Sequence, residues 1–444
     1  MILYEHERIR VGEKSEGDGL TKPVFDALAA WQERNQVRYL EIGHRSIRAT
    51  QWVGILQVGR TVLEILPKAD VHRGLETGRE ESSHYWRRVL LEMLAAAKGF
   101  ELRKDQRADQ ELQHHTLLEV IFWLFVNEAE KLLREGLAKT YRLVARNRTA
   151  WRGHLLVAKD LHQNLVHREL VYTESMEYDL HNHWNRILVT TLDFVAHHAT
   201  DPLLRARSKS SLLPFQDWSG SPIKPELFDR LRYDRRTERY RQAMELAKLI
   251  LLQQNPDLSA GSKDVYSLLF DMNKLWEAWV AQRIRHSIKG TGWTLKTQSS
   301  AKFWIGGESE RKLSARKVRP DLVLSPPQKF KELPSGLGLP ALRELTVLDT
   351  KWKVMSSWVP DDGDLKQMFV YNHLWGAKEA WLLYPKRRGA NYPTSVGVGG
   401  FLGATSIAGQ IMSSHCGVSF FDLPPERMSL KKNAQLPVQS NRVE

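Results

Sequence analysis

The chain has 444 residues, 42% of them apolar and 26% charged, which excludes a mainly disordered or fibrous protein and leaves room for two or three domains. Lysine and arginine number 65 against 52 acids, a net +13 that favours a polyanionic partner without requiring one. A single cysteine, Cys416, excludes an intrachain disulfide framework and a cysteine-based zinc cluster, and fits a reducing compartment.

In chain order, Met1 to Val11 puts Glu5, His6, Glu7 and Arg8 where a signal peptide needs its apolar core. The first 75 residues read as β-rich, with strands expected at Ser46 to Thr50, Val53 to Val58 and Thr61 to Leu66 after a helix near Pro23 to Glu33. Gly59-Arg60 suits a two-residue hairpin turn, and Pro67 stops the last strand. From Glu80 to about Asn255 apolar residues recur at helical spacing, most clearly over Tyr85 to Lys98, Leu112 to Glu135, Asn182 to His198 and Glu238 to Gln254. The most apolar run, Leu117 to Val126, contains Glu119 and is far shorter than the roughly 20 residues a bilayer demands, so a cytoplasmic protein with no membrane partner is expected. Arg205 to Lys224, rich in Ser and Pro, reads as a long connection. The last region is expected to run from a helix over Val265 to Ser287 into strands. A Pro/Gly-rich loop follows from Ser325 to Pro340, then a helix from Gly363 to Trp375 and a strand from Ala380 to Tyr384. The expected divisions are therefore residues 1–75, 76–258 and 259–444, with a disordered tail from Gln435.

Two short motifs in the last region carry chemistry. Val318 to Leu324, holding Arg319-Pro320-Asp321, and Leu345 to Trp352, holding Asp349-Thr350-Lys351, are apolar-rich runs bounded as strands are. Alternate strand residues share a face roughly 6–7 Å apart, so Leu345, Val347, Asp349 and Lys351 point one way and bring a carboxylate and an ammonium together. Hydrolysis of a phosphodiester needs charge on the scissile phosphate and an activated water, which Mg²⁺ on a few carboxylates provides; Mn²⁺ is the alternative. Asp321 and Asp349 are the candidate metal ligands, and Lys351 the cation that would orient or deprotonate the water. The spacing alone leaves the bland alternative of two polar strand ends open. Glu277 shares a helix face with Asn273, Val280, Ala281 and Ile284, and a carboxylate on a partly apolar stripe wants a partner. Gln367 and Tyr371 are four apart on one helical face. Arg311, Lys312, Arg316, Lys317 and Arg319 put five cations in nine positions beside Asp321, where they suit DNA phosphates.

These residues resemble, in chain order, the PD-(D/E)xK nucleases and, within them, the McrC subunits of modification-dependent McrBC restriction systems. Glu277 matches the family's helix glutamate, Asp321 the first acid, Asp349 and Lys351 the second acid and lysine, and Gln367 with Tyr371 the following helix. Val53-Gly54-Ile55-Leu56-Gln57-Val58 with Leu63-Glu64-Ile65-Leu66-Pro67-Lys68 is similar to the McrC amino-terminal hairpin. Trp151-Arg152-Gly153-His154-Leu155 and Asn182-His183-Trp184-Asn185-Arg186 are similar to its connecting segments, although the family's Thr-Pro-Leu-Asn-Arg pattern is changed before Asn185.

The resemblance implies an α+β multidomain chain: a β-rich N-terminal adaptor, a helical middle and a C-terminal α/β nuclease domain with a mixed central sheet. It implies Glu277 as a third metal ligand, and Gln367 and Tyr371 as residues that orient DNA or the site. It also implies cleavage of double-stranded DNA together with a McrB-like hexameric AAA+ GTPase, and the absence of G-x-x-x-x-G-K-[ST] agrees with a subunit that borrows its motor. Two rival readings are a non-catalytic DNA-binding activator of an NTPase and a nuclease acting without a motor.

Other signals are bland. The histidines His114-His115, His162 with His167, His181 with His183, and His197-His198 lack the acid and spacing of H-E-x-x-H. Gly397, Gly399, Gly400 and Gly403 do not form G-x-G-x-x-G and read as a turn-rich loop before a strand, while Arg230 to Arg241 reads as a solvated helix face, with contact to DNA or the motor as the alternative.

Overall fold

A computed structural model describes residues 1–13, 19–59, 61–67, 79–100, 102, 116–215, 218, 223–252, 265–305, 315–327, 342–353, 355, 359–386, 395–402 and 411–423. The chain is a mixed α+β protein that divides into two compact units, Met1–Ile65 with Lys98–Phe270, and Leu66–Ala97 with Asp271–Glu444.

The first unit opens with strands β1 (Ile2–Tyr4) and β2 (Arg8–Arg10), helix α1 (Lys22–Arg34), and strands β3 (Leu40–Gly43), β4 (Ser46–Ala49), β5 (Trp52–Val58) and β6 (Thr61–Leu66). The expected strands and helix of this region are all present. Val58 pairs with Thr61 across the expected two-residue turn, where Gly59 takes φ +59°. Leu28, Ile47, Leu56 and Ile65 sit in one buried cluster, because the period-two pattern of the strands and the helical stripe of α1 both turn apolar residues inward. Helix α2 (Arg79–Lys98) belongs mostly to the second unit.

The middle of the chain, expected to be mainly helical, contains a three-stranded sheet as well as helices. After helix α3 (Leu117–Glu135) come strands β7 (Thr140–Arg148) and β8 (His154–Leu155), helix α4 (Val157–Asn164) and strand β9 (Val171–Asp179), with strand order β7-β9-β8. Their apolar residues Tyr141, Leu143, Met176 and Tyr178 are exposed while the buried Thr173 and Ser175 are polar, so no buried apolar face advertises the strands. Helix α5 (His183–His198) follows. The expected long connection is then helical as far as Leu212, because Pro202 opens helix α6 (Pro202–Leu212) and the Asp201 side chain accepts from Leu203 N at 2.8 Å. After helix α7 (Pro225–Asp229), Arg230 to Arg241 is irregular chain, turn and a short 3-10 helix (Glu238–Tyr240) rather than the face of an α-helix, and helix α8 (Arg241–Leu252) starts at its end.

The helix expected over Val265 to Ser287 is in fact a strand and a helix. β10 (Val265–Asp271) completes a sheet of order β1-β6-β5-β10, and helix α9 (Met272–Ser287) begins where Asp271 accepts from Asn273 N at 3.0 Å. Gly54 is required beside this strand: it holds φ +132°, and a Cβ there would lie 2.0 Å from the Leu268 carbonyl oxygen.

The second unit is built on a six-stranded mixed sheet. Its strands are β11 (Thr294–Thr297), β14 (Leu322–Ser325), β15 (Thr346–Thr350), β16 (Glu379–Pro385), β18 (Ile411–Phe421) and β17 (Ser395–Leu402), in that spatial order. The pairs β15/β16 and β16/β18 are parallel and the others antiparallel. Helix α10 (Asp362–Trp375) makes the crossover between β15 and β16 and packs Met368 and Tyr371 onto Val347, Ala380 and Leu382. A separate two-stranded ribbon pairs β12 (Ala301–Ile305) with β13 (Ala315–Val318). Three expectations are corrected here. Val318 to Leu324 is two strands with Arg319-Pro320-Asp321 between them, so Asp321 lies at the mouth of β14. Gly397, Gly399 and Gly400 lie in strand β17, with Gly403 outside the described residues. The loop expected from Ser325 starts one residue later, and most of it, like the expected tail, also lies outside them.

Among the described residues no helix is long and apolar enough to cross a membrane.

Candidate active site

Strand β15 and its continuation deliver the centre of the site. Val347 and Asp349 share the face covered by α10, and Asp349 is only 2% exposed, so an ionised carboxylate there needs compensation. Lys351 N donates to Leu383 O at 2.9 Å, extending the β15/β16 ladder past the strand end and fixing where the side chain starts. The Lys351 ammonium then lies 2.7 Å from Asp349 Oδ2 and 3.3 Å from Asp364 Oδ1, and donates to Gln367 Oε1 at 2.9 Å.

Helix α10 presents Asp364, Gln367 and Tyr371, spaced three and four apart, on one face. The Gln367 amide bridges, with Nε2 donating to Tyr371 Oη at 2.6 Å and reaching Asp349 Oδ1 at 3.5 Å. Tyr371 donates in turn to the Arg319 carbonyl at 3.0 Å, which ties the helix to the link before β14. Asp364 Oδ2 accepts from Tyr384 at 3.2 Å and pairs with Lys353 at 2.7 Å; Lys353 also pairs with Asp361.

Asp321 and Glu277 complete the cluster. Asp321 Oδ2 accepts from Thr350 N at 2.8 Å and Thr350 Oγ1 at 2.7 Å, so the two motifs are joined side chain to backbone. Gln298 N donates to Asp321 O at 2.9 Å while its side-chain amide donates to Glu277 Oε1. Gln298 holds φ +54°, in the left-handed region where a side chain is strained, a conformation that persists when surrounding contacts enforce it. An open cleft of about 330 Å³ is lined by Glu277, Asp321, Asp349, Lys351 and Gln367, together with Asn273 and Lys274.

The electrostatics follow from crowding acids in a partly dry place. Burial, reinforced by the charge of Asp321, pushes Asp349 up to about 6 against the pull of Lys351. Burial also raises Glu277, with Gln298 opposing. For Lys351 burial acts downward, but the charges of Asp349 and Asp364 outweigh it and raise the ammonium. Burial pushes Tyr371 up to about 12, so it stays a neutral hydrogen-bond donor.

A divalent cation fits this donor set. The ligands on offer are carboxylate oxygens, which suit a hard ion. Asp349 Oδ2 is buried, with the Lys351 ammonium 2.7 Å away. Among the described residues no three His, Cys, Asp or Glu side chains are placed to hold a metal ion together. Mg²⁺ asks for less, being held by one or two carboxylates plus water.

Of the residues singled out from sequence, Glu277, Asp321, Asp349, Lys351 and Gln367 are brought to one cleft, and Tyr371 stands behind Gln367. Arg316, Lys317 and Arg319 are exposed on β13 and the link that follows; Arg311 and Lys312 lie outside the described residues. Asp364, Lys353, Thr350 and Gln298 were not anticipated. Asp364 had a usable signal, standing three residues before Gln367 on the same helical face. Gln298 had none.

The family described as McrBC 5-methylcytosine restriction system component matches residues 47–385, about three quarters of the chain. The chain belongs to that family. The fold agrees: McrC in the tetradecameric assembly of Thermococcus gammatolerans McrB AAA+ hexamers with bound McrC is similar with a TM-score of 0.64 at 20% identity, over 95% of this chain and 94% of that chain. A second McrBC complex structure from Thermococcus gammatolerans is similar with a TM-score of 0.49 at 23% identity, over 65% of this chain and 88% of that one. The fold comparison rests on the first. No curated protein matches the chain.

Proposed function

We propose that this McrBC-family chain is the DNA-cutting component of its system: a metal-dependent endonuclease that hydrolyses phosphodiester bonds of double-stranded DNA and stimulates a McrB-like AAA+ GTPase. The observation that carries the reading is the Lys351 ammonium 2.7 Å from buried Asp349, in a cleft shared with Asp321 and Glu277. Membership of the McrBC family and a fold shared with McrC bound to McrB hexamers support the partner.

In this reading Asp321 and Asp349 would hold Mg²⁺ or Mn²⁺ together with water, with Glu277 as a further carboxylate beside them. Such an ion, when bound, supplies charge to the scissile phosphate and lowers the pKa of an attacking water. Lys351 places a positive charge and N–H donors beside that water and the phosphate oxygens. Gln367, fixed by Tyr371, holds Lys351 and Asp349 in one geometry. Asp364, anchored by Tyr384 and Lys353, supports the ammonium from the other side. The division into an N-terminal adaptor (1–75), a linking region (76–258) and a nuclease region (259–444) belongs to the same proposal.

The test is cleavage of duplex DNA by the purified chain in Mg²⁺ or in EDTA, with and without its candidate GTPase. Cutting is expected only with metal and partner. Asp349→Ala should abolish it while leaving stimulated GTP hydrolysis intact. Persistent cutting by Asp349→Ala overturns the site assignment. Efficient cutting without the partner supports a motor-free nuclease, and GTPase stimulation with no cutting supports a non-catalytic activator.

A further inference from the structure

The ribbon of β12 and β13 has no place in the six-stranded sheet, and its side chains are of an unusual mixture. Lys302 stands directly opposite Lys317, and Trp304 directly opposite Arg316, with Phe303 at an irregularity between the two pairs. Lys317 and Arg316 are adjacent, so the two pairs occupy opposite faces of the ribbon. Lys302, Arg316 and Lys317 are exposed, and Phe303 and Trp304 are 50% and 51% exposed.

A ribbon built for stability alone would avoid this. Like charges directly across a strand pair are destabilising, and large aromatics gain nothing from water. Among the described residues no carboxylate lies within ion-pair distance of Lys302, Arg316, Lys317 or Arg319. A protein surface would cover one face of such a ribbon, leaving the cation on the other without a partner. A nucleic-acid groove surrounds both: the major groove of B-DNA, about 12 Å wide, admits a two-stranded β-ribbon between two walls of phosphates. The irregularity at Phe303 is of the kind that re-aims a side chain beside an active site.

The ribbon is also tied to the acids. β13 runs through Arg319-Pro320 into Asp321. β12 begins three residues after Gln298, which holds the Asp321 backbone and the Glu277 side chain.

We propose that the β12/β13 ribbon enters a groove of duplex DNA, with Lys302, Arg316, Lys317 and Arg319 on the flanking phosphates and Phe303 and Trp304 against the bases. It thereby sets which phosphodiester reaches the cleft. The inference rests on the reading of the cleft as a DNA-cutting site, and its test reads binding rather than cutting.

The experiment measures anisotropy of a dye-labelled DNA duplex with the full chain, in EDTA and across a salt series. K302Q/K317Q is expected to weaken binding and to reduce the slope of log K against log salt by about 2, roughly one for each phosphate no longer neutralised. F303A/W304A is expected to weaken binding about tenfold with the slope unchanged, through lost apolar contact with base edges, and F303Y/W304F to restore it. Unchanged affinity in both Gln and Ala variants overturns the proposal. So does a loss of affinity for the AAA+ partner while DNA affinity holds, which would make the ribbon a protein-docking surface. These outcomes are separate from the catalytic reading, because Asp349→Ala tests cleavage while leaving the ribbon in place.

Discussion

Strand β15 buries Asp349 at 2% exposure beside Val347 and Leu348, whereas the β7/β9 pair in the first unit leaves Tyr141, Leu143, Met176 and Tyr178 about half to two thirds exposed. The first arrangement hides charge; the second exposes apolar surface. They differ in what holds them. Asp349 depends on a few mutually fixed groups, namely Lys351, Gln367 and, behind them, Asp364 and Tyr371. The β7/β9 pair depends on nine-residue register and on cross-strand pairs, with Tyr141 against Tyr178 on one face and Arg142 to Asp179 and Arg148 to Glu177 on the other. Removing one member of a buried polar network leaves its partners stranded, while a solvated ladder exchanges each broken pair for water.

The largest expected effect follows at Lys351. Lys351→Ala should lower the cleavage rate about 10²–10³-fold or more, measured in single turnover with Mg²⁺ and partner present. Normal cutting would show that the half-buried cation is structural. Asp364→Asn comes next, at about 10–100-fold in rate with unchanged DNA affinity, because the amide keeps a hydrogen-bond acceptor for Tyr384 but loses the charge facing Lys351 and Lys353. An unaffected rate would mean that Asp349 and Gln367 place the ammonium unaided.

The third prediction concerns pH. Asp349 is held at about 6, above its ordinary 3.8, so the folded state binds that proton more tightly than the unfolded one. Its contribution to stability is complete below about pH 4 and is lost as pH rises through about 6, on the order of 1–3 kcal/mol. Thermal unfolding without divalent metal should show Asp349→Asn gaining on the parent chain as pH rises from about 4 to 8. No difference in slope would mean that Lys351 fully compensates the charge. The smallest effect is expected at the other sheet: Tyr141→Ser with Tyr178→Ser should change stability by under about 1 kcal/mol in the same measurement. A large loss would show that this ring pair is structural and would remove the contrast between the two sheets.

Legibility in the sequence followed the same division. Strands β5 and β6 are short, nearly continuous buried runs bounded by a turn and Pro67, and helix α10 buries one face, so both kinds of pattern mark their elements. Val265 to Asp271 is a nearly continuous apolar run that fits strand or helix alike; the cue was Asp271, which caps the helix that follows. Strands β7 and β9 were missed because neither face is fully buried, and β17 because glycines carry no pattern. In the site, acid and lysine spacing identified residues that the fold brings to one cleft. Gln298 could not be read this way, since its role comes from a positive φ and a backbone bond to a residue 23 positions away.

The parallel strands have a consequence for synthesis. The ammonium of Lys351 starts from a backbone bond to Leu383, Asp364 is anchored by Tyr384, and β16, which carries both Leu383 and Tyr384, pairs along its other edge with β18 (Ile411–Phe421). Parallel pairing closes only after its crossover has formed, which makes such contacts late ones. A nascent chain therefore carries every acid of the cluster well before it carries the strand that braces them. A ribosome-bound fragment ending before Ile411 holds Glu277, Asp321, Asp349, Lys351 and Asp364 but lacks the strand that pairs with the outer edge of β16, so the cluster is complete in sequence before it is complete in geometry.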